Sequence, residues 1–232
     1  MPRVLKWSVD HAKTVILLLT AMTLVLGYQI KNLRIEPDIT KSLPQNIPAK
    51  RLYDRMGELF PSKDFIMVVY VSDSLFSIPS IRTLDRLTRE MENFPELYTL
   101  ISPTNVKIIR ASDGGMEVKE ALQALPRTRA EVEAFKQRLQ ANPIFMRNLI
   151  SRDQHAAAIM LLLHNDVDAK VFAGKLIKYI DDFAAKNRAQ LYAAGTPVVN
   201  YYISEGVARD MRVFFNAGIL LMLVLLFTIF RT

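Results

Sequence analysis

The side chains best suited to hold a metal ion or shuttle a proton are three histidines, His11, His155 and His164, and the carboxylate pairs Asp166/Asp168 and Asp181/Asp182. A three-histidine centre requires the fold to gather residues far apart in the chain, and His11 lies across a long apolar run from the other two. Solvated or capping histidines are the simpler reading. Asp166 and Asp168 are spaced to touch a cation, but an aspartate opening an amphipathic stretch serves equally well as a helix cap, and Asp181-Asp182 reads as a solvated face. The phosphate-binding GxxxxGK[ST] pattern, a GxGxxG after a strand and the HExxH zinc motif are all missing. The chain has 0 cysteines, which excludes disulfides and thiolate metal sites and suits an oxidising compartment. No catalytic residue, cofactor site or metal ligand is assigned, and the chain reads as something other than an enzyme.

The chemistry thins further inside two apolar runs. Residues 213–230 (VFFNAGILLMLVLLFTIF) contain no ionisable side chain and, at roughly eighteen residues of helix, just cross a bilayer core. Residues 14–30 are likewise uncharged and rich in Leu and Val. A pump needs titratable groups at membrane depth, and the polar side chains inside the runs, among them Asn216, Thr20, Thr23 and Thr228, suit helix packing instead. Ahead of the second run Val199, Ile203, Val207, Met211 and Phe214 recur at spacings of three and four, with no breaker after Pro197. One long helix is therefore expected to rise from a folded domain and enter the membrane.

These elements define the organisation. The chain of 232 residues carries a net charge of +7, 50% hydrophobic residues and a mean hydropathy of +0.14, values suited to a few spans plus a water-facing domain. Lys and Arg are dispersed, without the basic stripe and stacking aromatics of a nucleic-acid binder. Arg3, Lys6 and Lys13 outweigh Asp10 in residues 1–13, so the positive-inside rule predicts a cytoplasmic N-terminal tail, a retained span over 14–30 and an outer domain over 31–212. A cleaved signal peptide is the competing reading of the first run, with only Val25-Leu26-Gly27 as a poor cleavage site. The second span covers 213–230, and residues 231–232 open whatever follows.

Within the outer domain, residues 48–59 carry Leu52, Met56 and Leu59 at helical spacing and end at Pro61. Residues 65–71 (FIMVVYV) read as a strand buried on both faces. Ser77 caps a helix with Pro79 in its first turn and Ile81, Leu84, Leu87, Met91 and Phe94 as its apolar stripe, leading to a strand over 97–101. SPTN (102–105) is loop-like, 106–109 a short strand and Asp113-Gly114-Gly115 a turn. Thr128 with Glu131 forms a capping box ahead of Val132, Phe135 and Leu139, and a turn or two of helix continues from Pro143. A strand over 156–163, a helix capped by Asp168 with Phe172, Leu176, Tyr179 or Ile180, and Phe183 on one face, and a strand over 190–194 complete a second β-α-β unit. The expected class is α+β, a ferredoxin-like split β-α-β domain with an insertion over about 103–155, flanked by two transmembrane helices.

The order LRIEPDITKSLP, FIMVVYV, ELYTLISPTN, GGMEV, ANPIFMRNLIS, AAAIMLLL and AAGTPVVNYYISEGVARDM resembles the first part of RND-superfamily exporters of the MMPL type, over nearly the whole chain. That resemblance implies a periplasmic porter domain between the first two transmembrane helices, in a multi-pass protein of the bacterial inner membrane. It further implies partners: the lipid bilayer, a hydrophobic or lipid-like substrate, the remaining helices with their proton-relay carboxylates, a second repeat of the whole unit, and further copies in a homo-oligomer. On this view the chain is the N-terminal part of a longer protein, inactive alone. The family-like positions Asp38, Leu43, Pro44, Asn105, Gly195, Pro197 and Asp210 are expected to act as turns and caps. A two-span sensor with a ligand-binding outer domain shares the same outline, whereas a secreted enzyme with a tail anchor lacks its catalytic cluster.

Overall fold

The computed structural model describes residues 11–29, 44, 46–60, 62, 64–112 and 115–230. They fall in two compact units, 1–36 and 37–232. The first contains helix α1, Ala12–Gln29, whose Leu17, Leu18, Met22 and Val25 are exposed. The basic tail over residues 1–10, the end of the first run at Ile30 and the Pro61 helix stop lie outside the described residues.

The second unit begins with α2, Pro48–Leu59, opened by Pro48 in its first turn. There follow β1 (Phe65–Val71), α3 (Ile78–Met91) and β2 (Leu97–Ile101). Next come β3 (Lys107–Ser112), β4 (Gly115–Glu120), α4 (Arg129–Gln140) and α5 (Pro143–Leu149). The chain then forms β5 (Ala156–Leu163), α6 (Ala169–Asn187), β6 (Gln190–Ala194) and α7 (Thr196–Phe230). Local chemistry sets the helix starts. The Ser77 hydroxyl accepts from Ser80 N at 3.4 Å, the Asp168 carboxylate from Lys170 N and Val171 N at 3.1 Å each, and the Thr128 hydroxyl from Glu131 N at 3.3 Å. The Glu131 carboxylate returns to accept from Arg127 N at 2.6 Å, one residue before the cap.

Four strands form one sheet in the order β2-β5-β1-β6, with every neighbouring pair antiparallel. α3 joins β1 to β2 and α6 joins β5 to β6. The register sets Ile66 opposite Leu161, Val68 opposite Ile159 and Tyr70 opposite Ala157, all buried on one face. Leu84, Leu87 and Met91 of α3 and Phe172, Leu176, Ile180 and Phe183 of α6 cover that face. Each fully buried side chain of this size contributes about 1.5–3 kcal/mol.

The opposite face differs from the expectation of a strand buried on both sides. Met67, Val69, Met160 and Leu162 are only half-buried, and Phe65 and Tyr192 are exposed. An unbroken apolar run does not reveal that both crossover helices lie on the same side. Among the described residues only the corner at Ile101 and Met160 meets the second core, in which Val106, Ile108 and Leu122 pack with Val132, Phe135 and Leu139 of α4 and Leu149 of α5.

Polar contacts tie α3, and the turn that follows it, to α6. Lys175 Nζ donates to Glu96 at 2.7 Å, the Tyr179 hydroxyl to Glu90 at 2.8 Å and Arg86 to Asn187 Oδ1 at 2.9 Å. Between them Phe94 stands edge-on to Phe172 and Tyr179, with centroids at 5.7 and 5.2 Å. Among the described residues one helix, over residues 196–229, is long and apolar enough to cross a membrane.

Candidate functional site

The turn after β2 is built from hydroxyls. Thr88, Ser102 and Thr104 are fully buried. Thr88 donates its single proton to the Leu84 carbonyl at 2.9 Å, which leaves Ser102 to donate to Thr88 at 2.8 Å and Thr104 to Ser102 at 3.0 Å. This relay fixes the start of the insertion to α3.

Asn105 completes the turn and also caps the sheet edge. Its Oδ1 accepts from Ser102 N at 2.8 Å, while its Nδ2 donates to the Leu100 carbonyl at 3.0 Å and to Glu92 at 2.8 Å. The side-chain amide thus occupies main-chain groups at the outer rim of β2 that a further strand would use, one of the ways edges are protected from unwanted pairing.

Beside it opens a cleft of about 550 Å³, lined by the whole of β2 together with Glu92, Asn105, Val106, Lys107, Glu120 and Phe145. Arg89 lies among three carboxylates near its wall, at 2.6 Å from Glu120, 3.5 Å from Glu92 and 3.6 Å from Asp85. Burial raises the Asp85 carboxyl above the usual carboxylate range; Arg89 opposes the shift, and Glu120 and Glu92 add to it. The hydrogen bond to Glu120 holds the Arg89 guanidinium still more firmly charged. The lining of the cleft mixes polar and charged side chains, Thr99, Asn105, Lys107, Glu92 and Glu120, with apolar ones, Leu97, Ile101 and Phe145. Among the described residues no group of three His, Cys, Asp or Glu side chains is arranged to hold a metal ion, and the Asp85, Glu92 and Glu120 carboxylates face Arg89 instead.

A second constellation forms the root of α7. Gly195 has φ +133°, a conformation open to glycine, and a Cβ placed there would lie 2.8 Å from the Phe65 carbonyl oxygen. Its own carbonyl accepts from Val198 N and Val199 N at 3.1 Å, opening the helix. Pro197 and Val198 are buried, and the Tyr201 ring lies against Gly174, where a Cβ would meet Cε2 at 2.6 Å. Sheet, α6 and α7 are thereby interlocked.

The seven family-like positions do not converge. Asn105 lines the cleft at the β2 edge, Gly195 and Pro197 lie at the β6 edge, and Asp210 is exposed farther along α7. Pro44 accepts from Ile47 N at 3.2 Å; Asp38 and Leu43 lie outside the described residues. His155 and His164 flank opposite ends of β5, with Asp153 3.6 Å from the first and Tyr98 edge-on to the second. Sequence spacing alone overlooks Arg89, although Asp85 and Glu92 at i−4 and i+3 are a readable signal. Glu120 joins them only through the fold.

Comparison with known proteins adds one match. The family model described as the MMPL family covers residues 41–232. A search of curated proteins finds no match.

Proposed function

The chain belongs to the MMPL family, whose members are membrane transporters and not enzymes, and from that premise we propose that it is the porter module of a proton-driven exporter of lipid-like or other hydrophobic substrates. The observation that carries this reading is α7. A single helix of 35 residues runs from the locked root at Gly195 and Tyr201 into the uncharged run 213–230. A displacement of the domain is then transmitted along a continuous rod of hydrogen-bonded backbone.

The proton relay is assigned to other helices of the exporter, because neither 14–30 nor 213–230 contains Asp, Glu, Lys, Arg or His. Helix α1 is read as the first span, with the N-terminus in the cytoplasm and the domain in the periplasm. The strand order, with α3 and α6 as crossovers on one face and the β3-β4, α4, α5 insertion between halves, supports a ferredoxin-like split β-α-β porter domain.

The test uses the complete exporter in proteoliposomes, with a fluorescent lipid analogue as substrate and an imposed proton gradient. Inserting two glycines after Asp210 should abolish gradient-driven export while the thermal unfolding of the domain stays unchanged. Undiminished export by the insertion variant refutes the rod. Absence of gradient-driven export in the unmodified protein counts against the exporter reading itself.

A further inference from the structure

Helix α5 ends at Leu149, and the chain turns through residues 151–154 into β5. Beside this turn opens a cavity of about 570 Å³, separate in its lining from the cleft along β2. Met146 and Ile150 form its apolar side; Ile150 is buried, Met146 is half-buried, and both pack with the core beneath the sheet. The rest of the lining is Arg147, Ser151, Arg152 and Gln154, which bring two positive charges and no negative one.

The turn is fixed by its own hydrogen bonds. Ser151 N donates to the Ala156 carbonyl and Gln154 N to the Ser151 carbonyl, each at 2.9 Å, while Ser151 Oγ accepts from Ala156 N at 2.9 Å and His155 N at 3.1 Å. They hold Gln154 at φ 59°, a left-handed conformation that residues other than glycine seldom adopt. Asp153, the one acid in the turn, is outside the lining: its carboxylate accepts from Ser151 Oγ and from His155 N at 3.2 Å. Both arginines are exposed, and among the described residues neither guanidinium has a carboxylate or carbonyl partner. Two guanidiniums with nothing to pair, next to an amide and a wall of core side chains, select an anion that carries an apolar body. Guanidinium forks match the oxygens of phosphate in pairs, and the cavity lies within the size range of small-molecule sites, about 300–1,000 Å³. A bare anion leaves Met146 and Ile150 wet; an alkyl chain covers them, each buried methylene tightening binding roughly fourfold.

We propose that the cavity between the end of α5 and the turn into β5 binds the head and first alkyl carbons of a phosphate monoester amphiphile, with Arg147 and Arg152 on the phosphate and Met146 and Ile150 on the chain. The inference stands on the cavity and its charge, and is independent of the exporter reading.

The full-length protein in phosphatidylcholine nanodiscs is titrated calorimetrically with hexyl phosphate, inorganic phosphate, hexyl glucoside and hexyltrimethylammonium, with empty nanodiscs as the blank. Hexyl phosphate should bind saturably at one site, and inorganic phosphate about tenfold or more weakly. The neutral and cationic hexyl compounds should match the blank. Arg147→Ala and Arg152→Ala should each weaken hexyl phosphate binding about tenfold. Arg147→Lys with Arg152→Lys should bind it more tightly than the double alanine variant, and Arg209→Ala, exposed on α7 and outside the lining, should leave it unchanged. Thermal unfolding of each variant without ligand separates loss of binding from loss of fold. Equal affinity for inorganic and hexyl phosphate overturns the amphiphile in favour of free phosphate. Hexyl glucoside bound as tightly as hexyl phosphate overturns the anion. Affinity unmoved by the arginine substitutions, or uptake of hexyl phosphate no greater than by empty nanodiscs, overturns the site itself.

Discussion

Asn105 shows how one side chain does several jobs at a sheet edge. It makes three hydrogen bonds, one of them to the Glu92 carboxylate. Asn105→Ala leaves Ser102 N and the Leu100 carbonyl without that partner and should cost about 1–3 kcal/mol, read as a lower urea midpoint. Asp85 acts in the other direction. Its carboxyl is raised by burial and by Glu120 and Glu92, so its charged form penalises the folded state at neutral pH. That penalty is relieved as pH falls through the raised value toward the unfolded one near about 4. Asp85→Asn should therefore be more stable than the parent at neutral pH and lose that advantage in acid, as urea titrations at the two pH values would show. Glu96 has the opposite sign: the Lys175 hydrogen bond holds its carboxyl below the ordinary range, so its contribution is present above the unfolded value and lost as pH falls through the lowered one.

Among the elements, α7 packs closely on α6 where Tyr201 meets Gly174. Gly174 gives the Tyr201 ring its seat, and a methyl group there would lie 2.6 Å from Cε2. Gly174→Ala should push the ring away and loosen the first turns of α7, seen as faster amide hydrogen exchange around Val198–Tyr201 with little change in the β1-β5 pair. Exchange unchanged at the root would show that Val198 and Pro197 hold it without Tyr201. The elements most legible in the sequence were those with local signals: Ser77 with Pro79, Thr128 with Glu131, Asp168, and the apolar spacings of α3 and α6. β4 escaped because GMEVKE shows no buried face: Met116 and Val118 are 83% and 55% exposed, and its pairing with β3 is what makes it a strand. The half-open face of β1 and β5 escaped for a different reason, since FIMVVYV and AAAIMLLL carry apolar residues on both sides whether or not helices cover both.

For the whole molecule, family membership and the long helix were legible from motif order and from the unbroken spacing after Pro197. The cleft beside Asn105 was not, because β2, α5 and the β3-β4 hairpin that line it are distant in sequence and meet only after the sheet forms. The proposed topology has a direct check. In intact cells expressing the full-length protein, Met116→Cys should react with an impermeant thiol reagent from outside the cytoplasmic membrane. Reaction only after lysis would place the domain on the cytoplasmic side.

The locked root of α7 makes the helix a lever. From Tyr201 to Phe230 it extends about 44 Å, so a tilt of about 5° at the root carries its far end roughly 4 Å sideways. Neighbouring helices pack with axes 8–10 Å apart, so such a swing approaches half the spacing between them. On the proposed reading, in which residues 213–230 span a membrane beside other helices, a small tilt where the Tyr201 ring meets Gly174 is amplified, by length alone, into a movement large enough to change which residues touch there.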